Sequence, residues 1–498
     1  MKTSRILLFL LLVVISAGSV GAEEVAVSTA ASTRVDEEKD LWYVVELLGQ
    51  RAGYFHVESR WVPFEGKEAL RVQEVLRNQM TRSNGGVTES VQVLSTTTRY
   101  EASSGGTLQI ENLLDQGGGP TRSTVEVTGE VARVTVEGAA GDRSFEMPWD
   151  ESVMGPRAAE DAIDSLISGT SPFISYKVFS FEAGNQVLDM RAKVLERKED
   201  GTVLLEQEFV GLGVVAHETY EADGTLLRQE VGPVVLRLAG REEALAPVEQ
   251  SLAVFEKITV FLDRSVLRTA PRGAYRLLPR EGWEGLSLSR LFVEDGRQHF
   301  LRDEAGEVLV VERVKDPLPE PSASFDPESF LRPSSLIESD DPEIRRLARS
   351  LATDSRSSVD LARRLERWVH DNIGFTGAGI GLATARQTLD SKDGDCTENA
   401  FLLAALLRAV EIPSRIVVGL VGAGEQAGRT RFVPHAWVEA YAEGWLPLDA
   451  AVYAPEVDVT HLAMAKSDGG EEGALLEVTV PLLEGLGRFD LAWAEPTR

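Results

Sequence analysis

Asp393-Gly394-Asp395-Cys396-Thr397-Glu398-Asn399-Ala400, running on into Phe401-Leu402-Leu403-Ala404-Ala405-Leu406-Leu407, is the stretch on which the reading of the fold turns. It holds the one cysteine of the 498-residue chain. Asp395 is a good N-cap, Gly394 permits a tight approach, and Cys396 then falls in the first turn of a helix. The positive end of that helix favours a thiolate over a thiol. Ala400, Leu402, Leu403, Ala404, Leu406 and Leu407 make the helix apolar nearly all round, the pattern of a buried helix. A buried helix presenting one thiol at its N-terminus suits a cysteine nucleophile.

A lone free cysteine is by default a small buried hydrophobe. Two features downstream change that reading. The strand Val433-Pro434-His435-Ala436-Trp437-Val438-Glu439-Ala440-Tyr441 is followed by Trp445-Leu446-Pro447-Leu448-Asp449-Ala450. Ala442-Glu443-Gly444 between them reads as a three-residue hairpin loop with glycine at the left-handed position. With Tyr441 facing Trp445, Trp437 faces Asp449, and His435 lies two residues along the same face. That diagonal of about 7 Å lets an aspartate hold an imidazole. A two-residue Glu443-Gly444 turn would send Asp449 to the other face.

The order Cys396, His435, Asp449 resembles the triad of the bacterial transglutaminase-like (papain-type cysteine) superfamily. The pattern is similar in Gly394-Asp395-Cys396-Thr397-Glu398, Ala405-Leu406-Leu407-Arg408-Ala409, Ile412-Pro413-Ser414-Arg415, Val417-Val418-Gly419, His435-Ala436-Trp437-Val438-Glu439 and Trp445-Leu446-Pro447-Leu448-Asp449. The resemblance spans roughly residues 335–460. It implies a helix carrying Cys396 packed on an antiparallel sheet carrying His435 and Asp449, with these three as catalytic residues. It implies attack on amide or peptide carbonyls through a thioester. Water as acceptor gives a protease or amidase, and an amine gives acyl transfer. In papain-like sites an upstream polar side chain helps bind the oxyanion, and Gln387 is the candidate; Trp437 is a candidate for lining the cleft.

Working outward, Asp341-Pro342 starts one helix with Ile344, Leu347, Ala348 and Leu351 on a face. Ser358 or Asp360 starts another with Leu361, Leu365, Trp368 and Val369, and His370 near its end suits the helix dipole. After the cysteine helix, Arg415 to Val421 reads as a buried strand and Gly422 to Gly428 as a flexible loop bordering the cleft. Strands near Leu475 to Leu482 and Arg488 to Trp493 close the chain. Asp316-Pro317-Leu318-Pro319-Glu320-Pro321-Ser322 is the clearest linker.

From Asp40 to about Leu245 the chain alternates apolar and polar residues between turn signals, as in Trp42–Leu47, Tyr54–Trp61 and Ala69–Leu76. Thr124–Thr128 and Val131–Val136 form a hairpin on a two-residue Gly129-Glu130 turn. One helix interrupts, near Arg157 to Ile167, before strands at Val203–Phe209 and Val214–Tyr220. A long antiparallel meander, curved like a half-barrel around an apolar groove, fits this pattern. His56, His217 and His299 are isolated on strands without metal-ligand spacing. A metal held by Cys396, His435 and Asp449 would need a further donor, so no metal and no cofactor is expected.

Lys2 and Arg5 precede the apolar run Ile6 to Ile15, and Val20-Gly21-Ala22 supplies small residues at a cleavage site: a secretory signal peptide. No later apolar run is long enough to span a membrane. The chain carries 51 basic and 79 acidic side chains, a net charge of −28, which repels nucleic acid and anionic lipid. The expected organisation is α+β: signal peptide 1–22, N-terminal β-rich domain 23–245, accessory β segment and Pro-rich linker 246–325, transglutaminase-like domain 326–465, and C-terminal β tail 466–498. The expected protein is an exported periplasmic or secreted hydrolase or acyltransferase acting on protein or peptide. The alternative is a non-catalytic envelope binding or scaffold protein that keeps the fold, motivated by the large β-rich half.

Overall fold

The computed structural model describes residues 38–495 apart from 85–86, 116–119, 139–141, 151, 182–184, 211–213, 249–257, 282, 284, 315, 319–325, 335, 354, 375–382, 453–456, 470–484 and 486. The expected signal peptide, most of the proline-rich linker and the strand expected near Leu475 to Leu482 lie outside the described residues. The chain forms two compact units, Met1–Leu252 and Ala253–Arg498.

The first unit begins with β1 (Lys39–Leu47), β2 (Gln50–Phe64), β3 (Lys67–Asn84), β4 (Val87–Ala102), β5 (Thr107–Asp115), β6 (Thr121–Thr128), β7 (Val131–Glu137) and β8 (Arg143–Pro148). Helix α1 (Pro156–Ile167) follows, then β9 (Phe173–Ser180), β10 (Gln186–Arg197), β11 (Val203–Phe209), β12 (Val214–Tyr220), β13 (Leu226–Val231) and β14 (Val234–Ala239). Alternation makes these strands. In β11 the odd positions Val203, Leu205, Gln207 and Phe209 are buried and those between are half-exposed. Gly129 takes φ +62° in the turn that joins Thr128 to its partner Val131.

The fourteen strands make one antiparallel sheet in the order β8-β7-β6-β5-β4-β3-β2-β1-β14-β13-β12-β11-β10-β9. The expected single meander is therefore two, β1 to β8 and β9 to β14, joined where Leu47 pairs with Val234. Strand patterns report which face is buried but not which strands neighbour across a long connection. Ile110, Val125 and Val134 share an apolar cluster with Trp149, Phe179 and Val187, so the two ends of the sheet curl toward each other. Helix α1 carries the chain between the two edge strands. The buried Glu101 carboxylate accepts the Arg157 backbone N–H at 2.8 Å, satisfying one orphan donor of that helix.

In the second unit, β15 (Val260–Phe261), β16 (Arg272–Pro279), β17 (Gln298–Asp303) and β18 (Gly306–Glu312) precede four helices. These are α2 (Pro342–Ala352), α3 (Ser358–Asn372), α4 (Ala385–Ser391) and α5 (Cys396–Ala409). Then come β19 (Ser414–Gln426), β20 (Arg429–Tyr441), β21 (Trp445–Leu448), β22 (Leu462–Ser467) and β23 (Phe489–Trp493). One sheet runs β15-β20-β19-β22 with β21 also on β20, and a second runs β17-β18-β16-β23. Segments before and after the helices thus meet: Tyr275 pairs with Trp493 and Val260 with Phe432.

Each of these four helices starts on a side-chain cap. Asp341 accepts from Glu343 and Ile344, and Ser357 from Asp360. Helix α5 is the core: Leu402, Leu403, Ala404, Ala405, Leu406 and Leu407 are fully buried against α2, α3 and the Ala436, Val438 and Ala440 face of β20. Such leucines each contribute about 1.5–3 kcal/mol of burial. The glycine-rich stretch Gly422 to Gly428, expected as a flexible loop, instead extends the β19–β20 hairpin to Gln426 opposite Arg429, with a bulge between Gly422 and Glu425. The bulge lets the extra residues continue the ladder.

Candidate active site

Cys396 is the first residue of α5, and the turn that presents it is doubly capped. Asp395 accepts the Thr397 N–H at 2.8 Å, and Glu398 accepts the Asp395 N–H at 2.8 Å. Position 394 must be glycine, because a Cβ there would lie 2.6 Å from the Glu398 Cβ. Cys396 itself stays half-buried, at the end of an otherwise buried helix.

His435 and Asp449 come from the adjoining hairpin. Tyr441 pairs with Trp445 and Val438 with Leu448, the register of a three-residue loop, so Asp449 continues opposite Trp437. Glu443 takes the left-handed conformation (φ +65°) and Gly444 φ +144°, so the left-handed residue is the one before the expected glycine. Gly444 answers a different demand: a Cβ there would lie 2.5 Å from the Leu318 carbonyl oxygen, and Leu318 hydrogen-bonds Trp445. The His435 Nε2 lies 2.7 Å from Asp449 Oδ2. That leaves Nδ1 as the ring nitrogen for the Cys396 thiol, which is within hydrogen-bonding reach of this imidazole.

Electrostatics follow from burial and partners. Burial alone would push His435 down, but the Asp449 carboxylate and then Cys396 outweigh it and raise the imidazole to about 9. Burial would likewise raise Asp449, yet His435 and His461 hold it far below the usual carboxylate range. The Asp449 Oδ1 accepts the Ala451 and Val452 N–H groups at 3.0 and 3.1 Å. Its own N–H donates to Glu366 on α3 at 2.7 Å. Burial lifts Glu366 to about 7, against the nearby Arg363 guanidinium. His370, at the end of α3, reaches the Ala450 carbonyl through Nδ1 at 2.9 Å and ties that helix to the turn after Asp449.

The other two sequence candidates behave differently. Gln387 is spent on its own helix: its Oε1 accepts the Thr384 N–H at 2.9 Å, completing a capping box for α4. Trp437 is 1% exposed, so it does not line an open cleft. It packs with Val417 and Ala463, its ring stacked near His435 at 6.1 Å and edge-on to His461 at 5.4 Å. The alternation of β20 puts it on the His435 face and the sheet buries that face.

Sequence reading missed His461, just before β22. Its Nε2 lies 3.0 Å from Asp449 Oδ2 and its Nδ1 3.2 Å from Asp458 Oδ1. Asp458-Val459-Thr460-His461 signals only a local turn, in which Asp458 also accepts from the Thr460 N–H at 2.8 Å. Nothing in the chain order ties it to Asp449. Glu366 was equally hidden, as one of several charges on an amphipathic helix. Among the described residues, His435, Asp449 and His461 bring ligand-type atoms within 4.8 Å of one another. Nitrogens 2.7 and 3.0 Å from one carboxylate oxygen are at hydrogen-bond distance, which protons satisfy without a cation.

Part of the chain is similar to known proteins. Residues 345–450 match the family model of the transglutaminase-like superfamily. Over 138 residues, 26% of this chain, the sequence is 31% identical to a protein-glutamine gamma-glutamyltransferase of Pseudomonas aeruginosa. The match spans 21% of that relative, about a fifth of its length. Two solved structures also align. A candidate cysteine protease from Cytophaga hutchinsonii is 18% identical, with TM-score 0.27, over 42% of this chain and 76% of that one. A β-barrel-like protein of a domain of unknown function from Brucella abortus is 10% identical, with TM-score 0.30, over 41% of this chain and 95% of that one. No described helix is long and apolar enough to cross a membrane. The stretch that carries Cys396, His435 and Asp449 is a transglutaminase-like domain.

Proposed function

We propose that this domain is a cysteine acyl-transfer enzyme acting on amide or peptide carbonyls of proteins or peptides. The observation that carries the reading is the His435–Asp449 contact of 2.7 Å with the Cys396 thiol in reach of the same imidazole. At neutral pH an imidazole raised to about 9 is protonated, and in cysteine chemistry generally the nucleophile is the thiolate rather than the thiol. The Cys396 sulfur attacks the carbonyl carbon, and the N-terminal turn of α5 stabilises the oxyanion. His435 gives its proton to the leaving amine, the C–N bond breaks, and a thioester remains. Water or a second amine, deprotonated by His435, then attacks the thioester carbonyl, the C–S bond breaks, and the sulfur and the protonated imidazole are restored as a pair. Asp449 fixes the imidazole tautomer throughout.

The relative named as a protein-glutamine gamma-glutamyltransferase supports a carboxamide as donor. The signal-peptide-like pattern of Lys2 to Ala22 favours action outside the cytoplasm, in the periplasm or beyond it. The test compares wild type with Cys396→Ala in hydrolysis of labelled casein and in incorporation of a labelled amine. Loss of either activity in the variant supports the reading and identifies the acceptor. Equal behaviour of the two proteins sinks it in favour of a binding or scaffold role.

A further inference from the structure

Resting on the triad reading above, we propose that His461 is a positioning residue: a buried imidazolium that clamps Asp449 opposite His435 and sets the proton balance between His435 and Cys396. Both of its ring nitrogens face carboxylates, Asp449 at 3.0 Å and Asp458 at 3.2 Å, and the side chain is 1% exposed. Ionised carboxylates only accept hydrogen bonds, so both nitrogens must carry protons and the ring must be charged. Asp449 then receives four donors: His435 and His461 on Oδ2, and the Ala451 and Val452 N–H groups on Oδ1. A carboxylate so saturated neither swings nor takes a proton from His435.

The surroundings hold the charge in place. The buried Arg297 guanidinium donates to the Asp458 and His461 carbonyl oxygens. Arg268 sits 3.4 Å from Asp458 Oδ2, and the Tyr275 hydroxyl donates to the Val459 carbonyl at 2.8 Å. Glu366 accepts from the Asp449 N–H, and His435 with Cys396 completes the set of titratable groups among the described residues. Two glycines of β19 admit this segment: a Cβ at Gly419 would lie 2.0 Å from the Leu462 oxygen, and one at Gly422 2.9 Å from the Thr460 Cβ. The two imidazole centroids are 6.0 Å apart. A fixed positive charge at that range weakens His435's hold on its proton, so His435 becomes a readier acid toward the leaving amine. A zinc ion would hold its ligand atoms about 3.3 Å apart at tetrahedral geometry, wider than the contacts here.

The test uses the full chain and needs no identified substrate, because Cys396 is the only thiol. Its alkylation by iodoacetamide and by iodoacetate is followed against pH, alongside 15N-histidine spectra of the six imidazoles. In wild type, His461 should show two protonated ring nitrogens at neutral pH. His461→Gln should move the pH at which the iodoacetate preference disappears upward by about one unit. The same variant should slow alkylation roughly tenfold or more through misplacement of Asp449 and His435. Asp458→Asn keeps a partner for Nδ1 but removes the demand for its proton. It should shift the same limb upward with a smaller loss of rate, and it stands in should His461→Gln not fold. A neutral His461, an unmoved limb in both variants, or zinc binding by wild type that His461→Gln abolishes would each overturn the proposal. A fast-reacting Cys396 whose limb ignores His461 overturns this inference alone. A Cys396 no more reactive than a free thiol overturns the triad reading with it.

Discussion

The two units bury ionisable groups in contrasting ways. Among the described residues of the N-terminal unit, the buried acids serve structural bonds. Glu101 caps α1, Glu160 pairs with Lys39 at 2.9 Å, and Glu218 accepts from Tyr220 and Gln229 at 2.7 and 2.6 Å. In the C-terminal unit Glu366, Asp449, His435, His461 and Asp458 are contiguous, and the series ends on a thiol. Buried acids of this kind tie one piece of the structure to another. A connected series in a low-dielectric interior holds protons at defined atoms, which is what acyl transfer uses.

The sharpest way to break that contrast is at the thiol. Cys396→Ala or His435→Ala should lower turnover by roughly a thousandfold or more while leaving the urea midpoint of the N-terminal unit in place. Retained turnover would mean the contiguous groups serve structure only, like those of the first unit. Next in size are the cores. Leu403→Ala in α5 should cost about 2–5 kcal/mol and slow Cys396 labelling, since that helix positions the sulfur. Leu205→Ala in β11 should cost a similar amount, about 2–5 kcal/mol, without changing labelling. Both are read by chemical denaturation with labelling measured in the native range. Loss of labelling in Leu205→Ala would show that the units are coupled.

Smaller effects come from caps and pH. Asp341→Ala removes two capping bonds and should cost about 1 kcal/mol in α2, seen as lost hydrogen-exchange protection there. Burial raises Glu101 to about 7. A raised carboxylate contributes stability that is complete below its ordinary value and lost as pH rises through about 7. Glu366 adds a contribution of the same sign, in the same window, to the second unit. His435, raised to about 9, contributes stability that is complete below its ordinary 6.5 and lost as pH climbs through about 9. Hydrogen exchange resolved by peptide should therefore show the upper window in β20 and β21 and not around α1. Glu101→Gln should flatten the lower window in the first unit alone. An upper window that survives Asp449→Asn would break the assignment to this pair.

Much of the candidate site was legible before any coordinates. The N-cap at Asp395, the start of α2 at Pro342 and the Tyr441–Trp445 register all depend on residues a few positions apart, and each formed as read. Gln387 illustrates the limit: a polar side chain upstream of a nucleophile is ambiguous until its partner is known, and its partner is the Thr384 N–H. Gly422 to Gly428 misled because glycine content signals freedom, whereas here strand pairing from Phe432 and Thr430 recruits the stretch into the hairpin.

From its sequence alone, this chain determined its helix starts, its strand faces and the cysteine, histidine and aspartate that resemble a known triad, because each is written in short-range pattern. Only the tertiary structure decided that β14 lies against β1, that β16 pairs with β23, and that His461 grips Asp449 from the far side. Those contacts join positions whose separation along the chain carries no period and no motif. They exist because burying apolar faces brings distant polar groups together, and each buried polar group must then find a partner there.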